Sequence, residues 1–249
     1  MISVIFTLWL RQLKRYLRSK SRIISALGMP ILFLVALGFG FGPIYSQALG
    51  ENYFEFLAPG IITMSILFTA MFSGIEVITD RQFGFLKETL VAPVNREAIM
   101  LGRTLGGATV AVFQGLLVLI IALILGMQIV NPLFLPIAIV FMFLVALLFT
   151  ALGTAIASLM EDMQGFQLIM NFLIMPLFFL SSALFPINQL PGFLKIIVSL
   201  NPLTYGVEGI RQSLTATTPT GLLLDFAILL SFSLLLLLIG SKLFSKMQF

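Results

Sequence analysis

The residues able to do chemistry are few, and they are charges. Glu208 and Arg211 stand three apart in the otherwise apolar run NPLTYGVEGIRQSL, a spacing that lets them pair on one helix face. Glu76 and Asp225 each lie near the polar end of a long apolar segment. The densest set is central: Asp80, Arg81, Lys87, Glu88, Arg96, Glu97 and Arg103 fall between Thr79 and Gly107. Ionisable groups inside apolar segments are costly and usually functional. These do not form the mid-bilayer carboxylate relay expected of a proton-coupled carrier, and no apolar segment is basic enough to sense voltage. Each of Glu76, Glu208, Arg211 and Asp225 therefore reads as a boundary charge within reach of water.

The absent residue types exclude most enzyme chemistry. His is 0, which removes the commonest general base and metal ligand. Cys is 0, which removes thiol nucleophiles, thiolate metal sites and disulfides. The patterns GxxxxGK[ST], HExxH and GxSxG do not occur. No metal site and no bound cofactor is expected, and the chain cannot hold ATP in a phosphate loop of its own. If it drives active transport, the energy comes from an ion gradient or from another polypeptide.

The elements that must position these charges are membrane helices. Hydrophobic residues make up 59% of the chain and charged residues 10%. Mean hydropathy is +1.12. A soluble domain carries about 25% charged residues. A helical span needs about 20 apolar residues, and six segments qualify: Ile23 to Pro43, Phe56 to Thr79, Leu105 to Met127, a tilted or overlong one within Asn131 to Met160, Gly165 to Phe185, and Gly221 to Phe244. The Gly38 to Gly42 end of the first, GFGFG, is expected to be loose or unwound. Residues 186–220 are too apolar for an ordinary loop. Within them Leu190 to Leu200 and Pro202 to Leu214 are helices too short to span, separated by Asn201-Pro202, and read as re-entrant or interfacial pieces. The fold expected is one all-α membrane domain, 1–249, with six transmembrane helices.

Between the second and third spans, residues 80–103 form a polar stretch that must lie in water. Phe83 to Val91 can make a short amphipathic helix, stopped by Pro93, which lacks an N–H and disfavours the helical region for Ala92. Asn95 is a cap for the next helix. A folded helix-turn-helix on the membrane surface implies something to touch.

Residues 1–22 form an amphipathic helix. Ile2, Ile5, Phe6, Trp9, Leu13, Tyr16 and Leu17 are expected on one face, and Arg11, Lys14, Arg15, Arg18 and Arg22 on the other, facing anionic lipid. The segment lacks the order of a secretory signal, because its basic residues follow the apolar stretch. Lys and Arg also set orientation. The N-terminal set, the central Arg81, Lys87, Arg96 and Arg103, and Lys242 and Lys246 fall on one side of six spans, leaving only Lys195 and Arg211 opposite. Both termini are then cytoplasmic. The +4 charge is topology rather than a nucleic-acid footprint. Ala146, Thr150, Thr154 and Ser158, with Ala151 and Ala155 beside them, and the pair Gly102 and Gly106, let helices approach closely, within the subunit or between subunits.

Three blocks carry a family resemblance: FLAPGI (Phe56 to Ile61), DRQFGFLKETLVAPVNREAIMLGRTL from Asp80, and PLFFLSSALFPINQLPGFLKIIVSLNPLTYGVEGIRQSL (Pro176 to Leu214). Together they resemble the membrane subunit of ABC-2 type transporters, the group that includes daunorubicin-resistance and nodulation-factor export permeases. The resemblance covers nearly the whole chain. It departs at Ser182, where the family usually has Gly, and at the Glu161-Asp162 turn, which lacks a nearby basic residue.

The resemblance implies an ATP-driven exporter of a prokaryotic inner membrane, with ATP and Mg on a separate nucleotide-binding subunit and a second membrane subunit, identical to the first. It implies a coupling helix at Phe83 to Pro93, with Phe83, Phe85, Leu86, Leu90, Ala92 and Pro93 as the apolar part and Lys87 and Glu88 as polar contacts. It implies an outer gate at Phe185, Pro186, Asn201, Pro202, Tyr205, Glu208 and Arg211. Phe68, Met71, Phe72, Phe172, Met175, Phe178 and Phe179 suit the path of a hydrophobic compound, lipid or glycolipid. The alternatives are an ATP-independent carrier and a membrane scaffold.

Overall fold

Without water, every backbone N–H and C=O must be satisfied inside its own segment, and a chain this apolar does that as helices. A computed structural model describes residues 2–49, 53–85, 95–187, 190–216 and 220–245; among them there are helices and no strand. The order is α1 (Ile2–Arg18), α2 (Lys20–Phe33) continued through a π-helical stretch (Leu34–Phe39) into α3 (Gly40–Leu49), α4 (Tyr53–Phe72), α5 (Ile75–Gln82), α6 (Arg96–Ile124), a 3₁₀ turn (Pro132–Phe134) leading into α7 (Leu135–Ser158), α8 (Met163–Phe179), α9 (Gly192–Leu200), α10 (Pro202–Thr215) and α11 (Leu222–Ser245).

Five stretches among the described residues are long and apolar enough to cross a membrane: Lys20–Ile44, Tyr53–Gln82, Arg96–Ile124, Pro132–Ser158 and Leu222–Phe244. The fifth segment of the sequence reading is the shorter α8, 17 residues long. It stops at Phe179, so residues 180–185 are a turn rather than helix, buried from Ser181 to Leu184. α4 forms the centre and packs on α6 and α7, while α2 and α11 form the rim.

Local signals act where expected. The Asn95 side chain accepts the Glu97 N–H and starts α6. Asn201 does the same for Leu203 N–H, with Pro202 at the first helical position of α10. The GFGFG end of the first span is not unwound. The helix continues through it, because a loosened backbone in lipid would leave its polar groups unpaired. Glycine serves close approach there: a Cβ on Gly38 would meet the Phe54 ring at 2.5 Å.

The small-residue stripe of α7 is consumed inside the chain. Ala146, Thr150, Ala151, Thr154, Ala155 and Ser158 are all buried. A Cβ on Gly153 would lie 2.3 Å from the Met71 carbonyl oxygen, so α7 and α4 meet backbone to backbone. Gly102 and Gly106 seat α1: their added Cβ atoms would meet Leu8 and Gln12. Helices that share a lipid solvent gain little from burial of apolar surface, so such close van der Waals contact is what holds them.

Gly153→Ala is expected to lose about 1–3 kcal/mol by overpacking against backbone that cannot yield. Gly28→Ala, with nothing within 4 Å of the new Cβ, is expected to be neutral or slightly stabilising. Thermal unfolding of both variants in one detergent tests the contrast; equal melting temperatures would count against the backbone contact.

Candidate functional site

Most of the described charges gather at one end of the bundle. Asp80, in the last turns of α5, is held by two arginines. Arg11 of α1 grips it with both terminal nitrogens at 2.9 Å. Arg103 of α6 reaches it at 2.7 Å. One turn earlier Glu76 takes a 2.9 Å hydrogen bond from Arg22 of α2. Arg15 stands between the two carboxylates, 3.7 Å from Asp80 and 3.9 Å from Glu76. Glu76, Asp80 and Arg103 are 5%, 4% and 3% exposed. Two carboxylates thus face four guanidiniums, and the cluster ties together four helices.

This corrects three expectations. Glu76 is not a boundary charge in water; burial on that helix face leaves arginine as its partner. Arg103 is not part of a surface loop, because α6 begins at Arg96 and carries residue 103 into the bundle. The basic stripe of α1 does not all face lipid: Arg11 and Arg15 turn inward, and Arg22 lies on α2 beyond the helix break at Ser19. Lys14 and Arg18 make no ion pair among the described residues.

The buried face of α1 also differs from the expected one. It consists of Leu8, Gln12 and Tyr16, while Ile2, Phe6 and Leu17 are exposed. Contacts advance together along both helices: Ile5 and Leu8 at Gly102, Gln12 at Gly106, Trp9 Nε1 donating to Thr109 Oγ1 at 3.0 Å, and the Tyr16 hydroxyl donating to Gln114 Oε1. Burial pushes the Tyr16 phenol above its ordinary pKa, so it stays protonated as that donor. α1 runs beside α6 along a seam, where an amphipathic pattern by itself suggested a helix resting on lipid.

The cluster stands at the root of the central polar stretch. Gly84 follows α5 with φ of +80°, a conformation that costs a side-chain-bearing residue. The chain turns there, Phe83 is left 83% exposed, and Phe85 comes under the Arg11 guanidinium, 3.9 Å from its ring centre. Leu86, Lys87, Glu88, Leu90, Ala92 and Pro93 lie outside the described residues. Arg81 reaches Glu161 at 2.7 Å and Gln82 donates to the Glu161 carbonyl at 3.1 Å, so the Glu161-Asp162 turn is bound to the same end. Asp162 caps α8.

At the other end Arg211 is a second hub. It pairs with Glu208, donates to the Phe56 carbonyl at 3.2 Å and to the Ser182 carbonyl at 2.7 Å, and stacks 3.9 Å over the Phe56 ring. Asn201 Nδ2 donates to the Leu177 and Leu180 carbonyls at 2.6 and 2.8 Å, which the end of α8 leaves free. The Tyr205 hydroxyl reaches the Ser199 carbonyl at 2.7 Å. Pro202 opens α10, and Phe185 and Pro186 lie in the turn before α9, Phe185 exposed. The expected Glu208–Arg211 pair is present, but Arg211 and Asp225 are buried rather than solvated.

A cavity of about 310 Å³ opens between α2, α4 and α8. Phe68, Phe72, Met175, Phe178 and Phe179 line it. Met71 does not: it is fully buried in the core. Phe172 does not either, being 81% exposed on the outside of α8.

Comparison with known proteins decides the family. The model of the ABC-2 type transporter family matches residues 3–215. The chain belongs to this family. It is 32% identical over 213 residues to ycf38 of Cyanophora paradoxa, whose name is that of a candidate transport permease, covering 84% of this chain and 73% of that one. It is 26% identical over 232 residues to the inner membrane transport permease YadH of Escherichia coli, covering 91% and 88%. It is 27% identical over 226 residues to nodulation protein J of Rhizobium leguminosarum bv. viciae, covering 90% and 86%. The chain is a multi-pass membrane subunit of a transporter, and the matched region runs from α1 to the end of α10. In this ABC-2 subunit both charged hubs and the cavity therefore fall inside the family's footprint.

The signal for the inward cluster was present in the sequence. Glu76 and Asp80 are four apart, as are Arg11 and Arg15, so two complementary stripes of equal spacing exist. What no spacing could supply is that residues 69 apart meet.

Removing one member of a buried pair costs about 3–5 kcal/mol, because the remaining charge is stranded. Asp80→Asn is expected to lose that much by leaving Arg103 unpaired. The double change Asp80→Asn with Arg103→Met should recover a large part of it. Unfolding of the three chains in one detergent checks this; additive losses in the double variant would refute the coupling.

Proposed function

We propose that this chain is the membrane half of an ATP-driven exporter, moving a hydrophobic compound, lipid or glycolipid outward. A separate nucleotide-binding subunit carries ATP and Mg, and a second, identical membrane subunit completes the bundle. What carries the reading is the buried cluster at the root of the central polar stretch. A motor docked on residues 83–93 can shift the membrane helices only if the docking element is stiffly joined to them, since coupling needs elements with discrete arrangements. Asp80 and Glu76 supply that joint by binding α1, α2 and α6 at once. The Arg11–Phe85 contact extends it into the stretch itself.

In this proposal α8 and the turn after it make a sixth crossing, giving six spans with both termini and the central stretch in the cytoplasm. YadH is named as an inner membrane permease, and the same membrane is proposed for this chain. α9 and α10 are then outer re-entrant helices, and Phe185, Pro186, Asn201, Pro202, Tyr205, Glu208 and Arg211 form the gate. The hydrogen bonds of Asn201 and Arg211 join α10 to the ends of α4 and α8, so a tilt of either helix is passed to the gate. Phe68, Phe72, Met175 and Phe178 line the route to it.

Copurification from the native membrane in mild detergent tests the reading, since the chain contains no Cys and a single one placed at Ala92 reports docking alone. A P-loop ATPase that copurifies and crosslinks at that position is the expected result. Leu90→Asp is expected to abolish ATP-driven transport while leaving the fold intact. Absence of any ATPase after crosslinking would overturn the exporter reading in favour of a carrier or scaffold, and normal transport in the Leu90 variant would overturn the docking assignment.

A further inference from the structure

We propose that the cavity between α2, α4 and α8 is a binding site for a single-chain amphiphile with an anionic head group. This deepens the export reading, on which it rests for what the bound molecule is for, by naming the class of substrate.

Three features of the cavity select that chemistry. The first is size. Ligand sites begin at about 300 Å³, and at about 310 Å³ this one takes a single chain or ring system rather than a two-chain lipid. Its walls are apolar and adaptable, with Met29, Phe33, Phe68, Met175 and Phe179 among them.

The second is the charge in its wall. Arg22 and Tyr16 line the cavity. The Arg22 guanidinium spends one terminal nitrogen on Glu76 and makes no other hydrogen bond among the described residues. A guanidinium has five N–H donors in a fork suited to carboxylate or phosphate. Glu76 belongs to a cluster in which four guanidiniums meet two carboxylates, so the wall at Arg22 carries more positive than negative charge. An anionic head completes that balance; a cationic one is repelled.

The third is a polar point inside the apolar wall. Ser65 lines the cavity, is 2% exposed, and its hydroxyl has no hydrogen-bond partner among the described residues. A buried polar group is ordinarily partnered. Thr69 lines the same wall one turn on, so the cavity offers hydroxyls to a hydrogen-bonding group on the bound molecule, away from its head.

The test is photolabelling of the purified chain in phosphatidylcholine nanodiscs, without ATP or partner, by a diazirine-bearing single-chain carboxylate. Labelled residues are mapped by peptide mass spectrometry. Label is expected on Met29, Met175 and Phe179 well above that on Leu234, Leu235 and Leu238, which are exposed on α11 and report simple partition into lipid. Ala26→Trp, which fills the cavity, should abolish the excess. Arg22→Gln should reduce it about tenfold, the worth of a hydrogen bond to a charged group, and Arg22→Lys should restore most of it. On the unaltered chain a quaternary ammonium analogue should label no better than the Arg22→Gln variant does with the carboxylate. Equal labelling of the cavity and the α11 rim, an excess that survives Ala26→Trp, or equal labelling by the ammonium analogue would each overturn the proposal. Labelling without ATP-driven transport would overturn the export reading alone, and transport without labelling would overturn this one alone.

Discussion

Two carboxylates buried in an apolar bundle must find cations or be neutralised, and the rest of this structure is arranged around that constraint. Asp80 and Glu76 lie on one face of α5, a helix that continues a membrane segment. Removing an ion from water costs several kcal/mol, and only close geometry with more than one partner offsets it. Asp80 obtains this from Arg11 and Arg103, and Glu76 from Arg22. Because the cations come from three other helices, solvation of two side chains becomes a statement about where those helices sit. α1 in particular is fixed at the bundle by this pairing and by its seam on α6.

The remaining cohesion comes from close approach. α4 and α7 meet through Gly153 and the Met71 carbonyl, and Gly60 brings α4 against the Ala183 carbonyl in the turn after α8. In lipid, such contacts and interhelical hydrogen bonds replace the hydrophobic drive that assembles soluble bundles. The two ends of the molecule use different means. The α1 end is held by ion pairs, whereas the α10 end is held largely by Arg211 and Asn201 donating to backbone carbonyls of α4, of α8 and of the turn after α8. The cavity is walled by α2, α4 and α8.

Much of the fold was legible because it is set locally. Apolar runs of about twenty residues located five of the six expected spans as long helices, and Asn95, Asn201 and Pro202 gave helix starts, since capping and a fixed proline φ act within one turn. The Glu208–Arg211 pair followed from helical spacing. The site was legible in part. Phe68, Phe72, Met175 and Phe178 do share a cavity, but Met71 is in the core and Phe172 on the outer surface, because residue type and spacing do not say which neighbouring helix packs over a given position. The face of α1 was misjudged for a related reason: periodicity defines a stripe, and a neighbouring helix decides which stripe is covered.

The sequence by itself determined that this is a helical membrane protein with no histidine and no cysteine, because hydropathy and residue types are properties of the chain alone. The ABC-2 family followed from three blocks of sequence. Only the tertiary structure decided that Arg11, 69 residues from Asp80, is its partner, that Arg103 is buried, and that α2, α4 and α8 leave a cavity lined in part by Arg22. Those facts depend on how helices distant in sequence are laid side by side, and that is settled by desolvated charges and close packing acting through space.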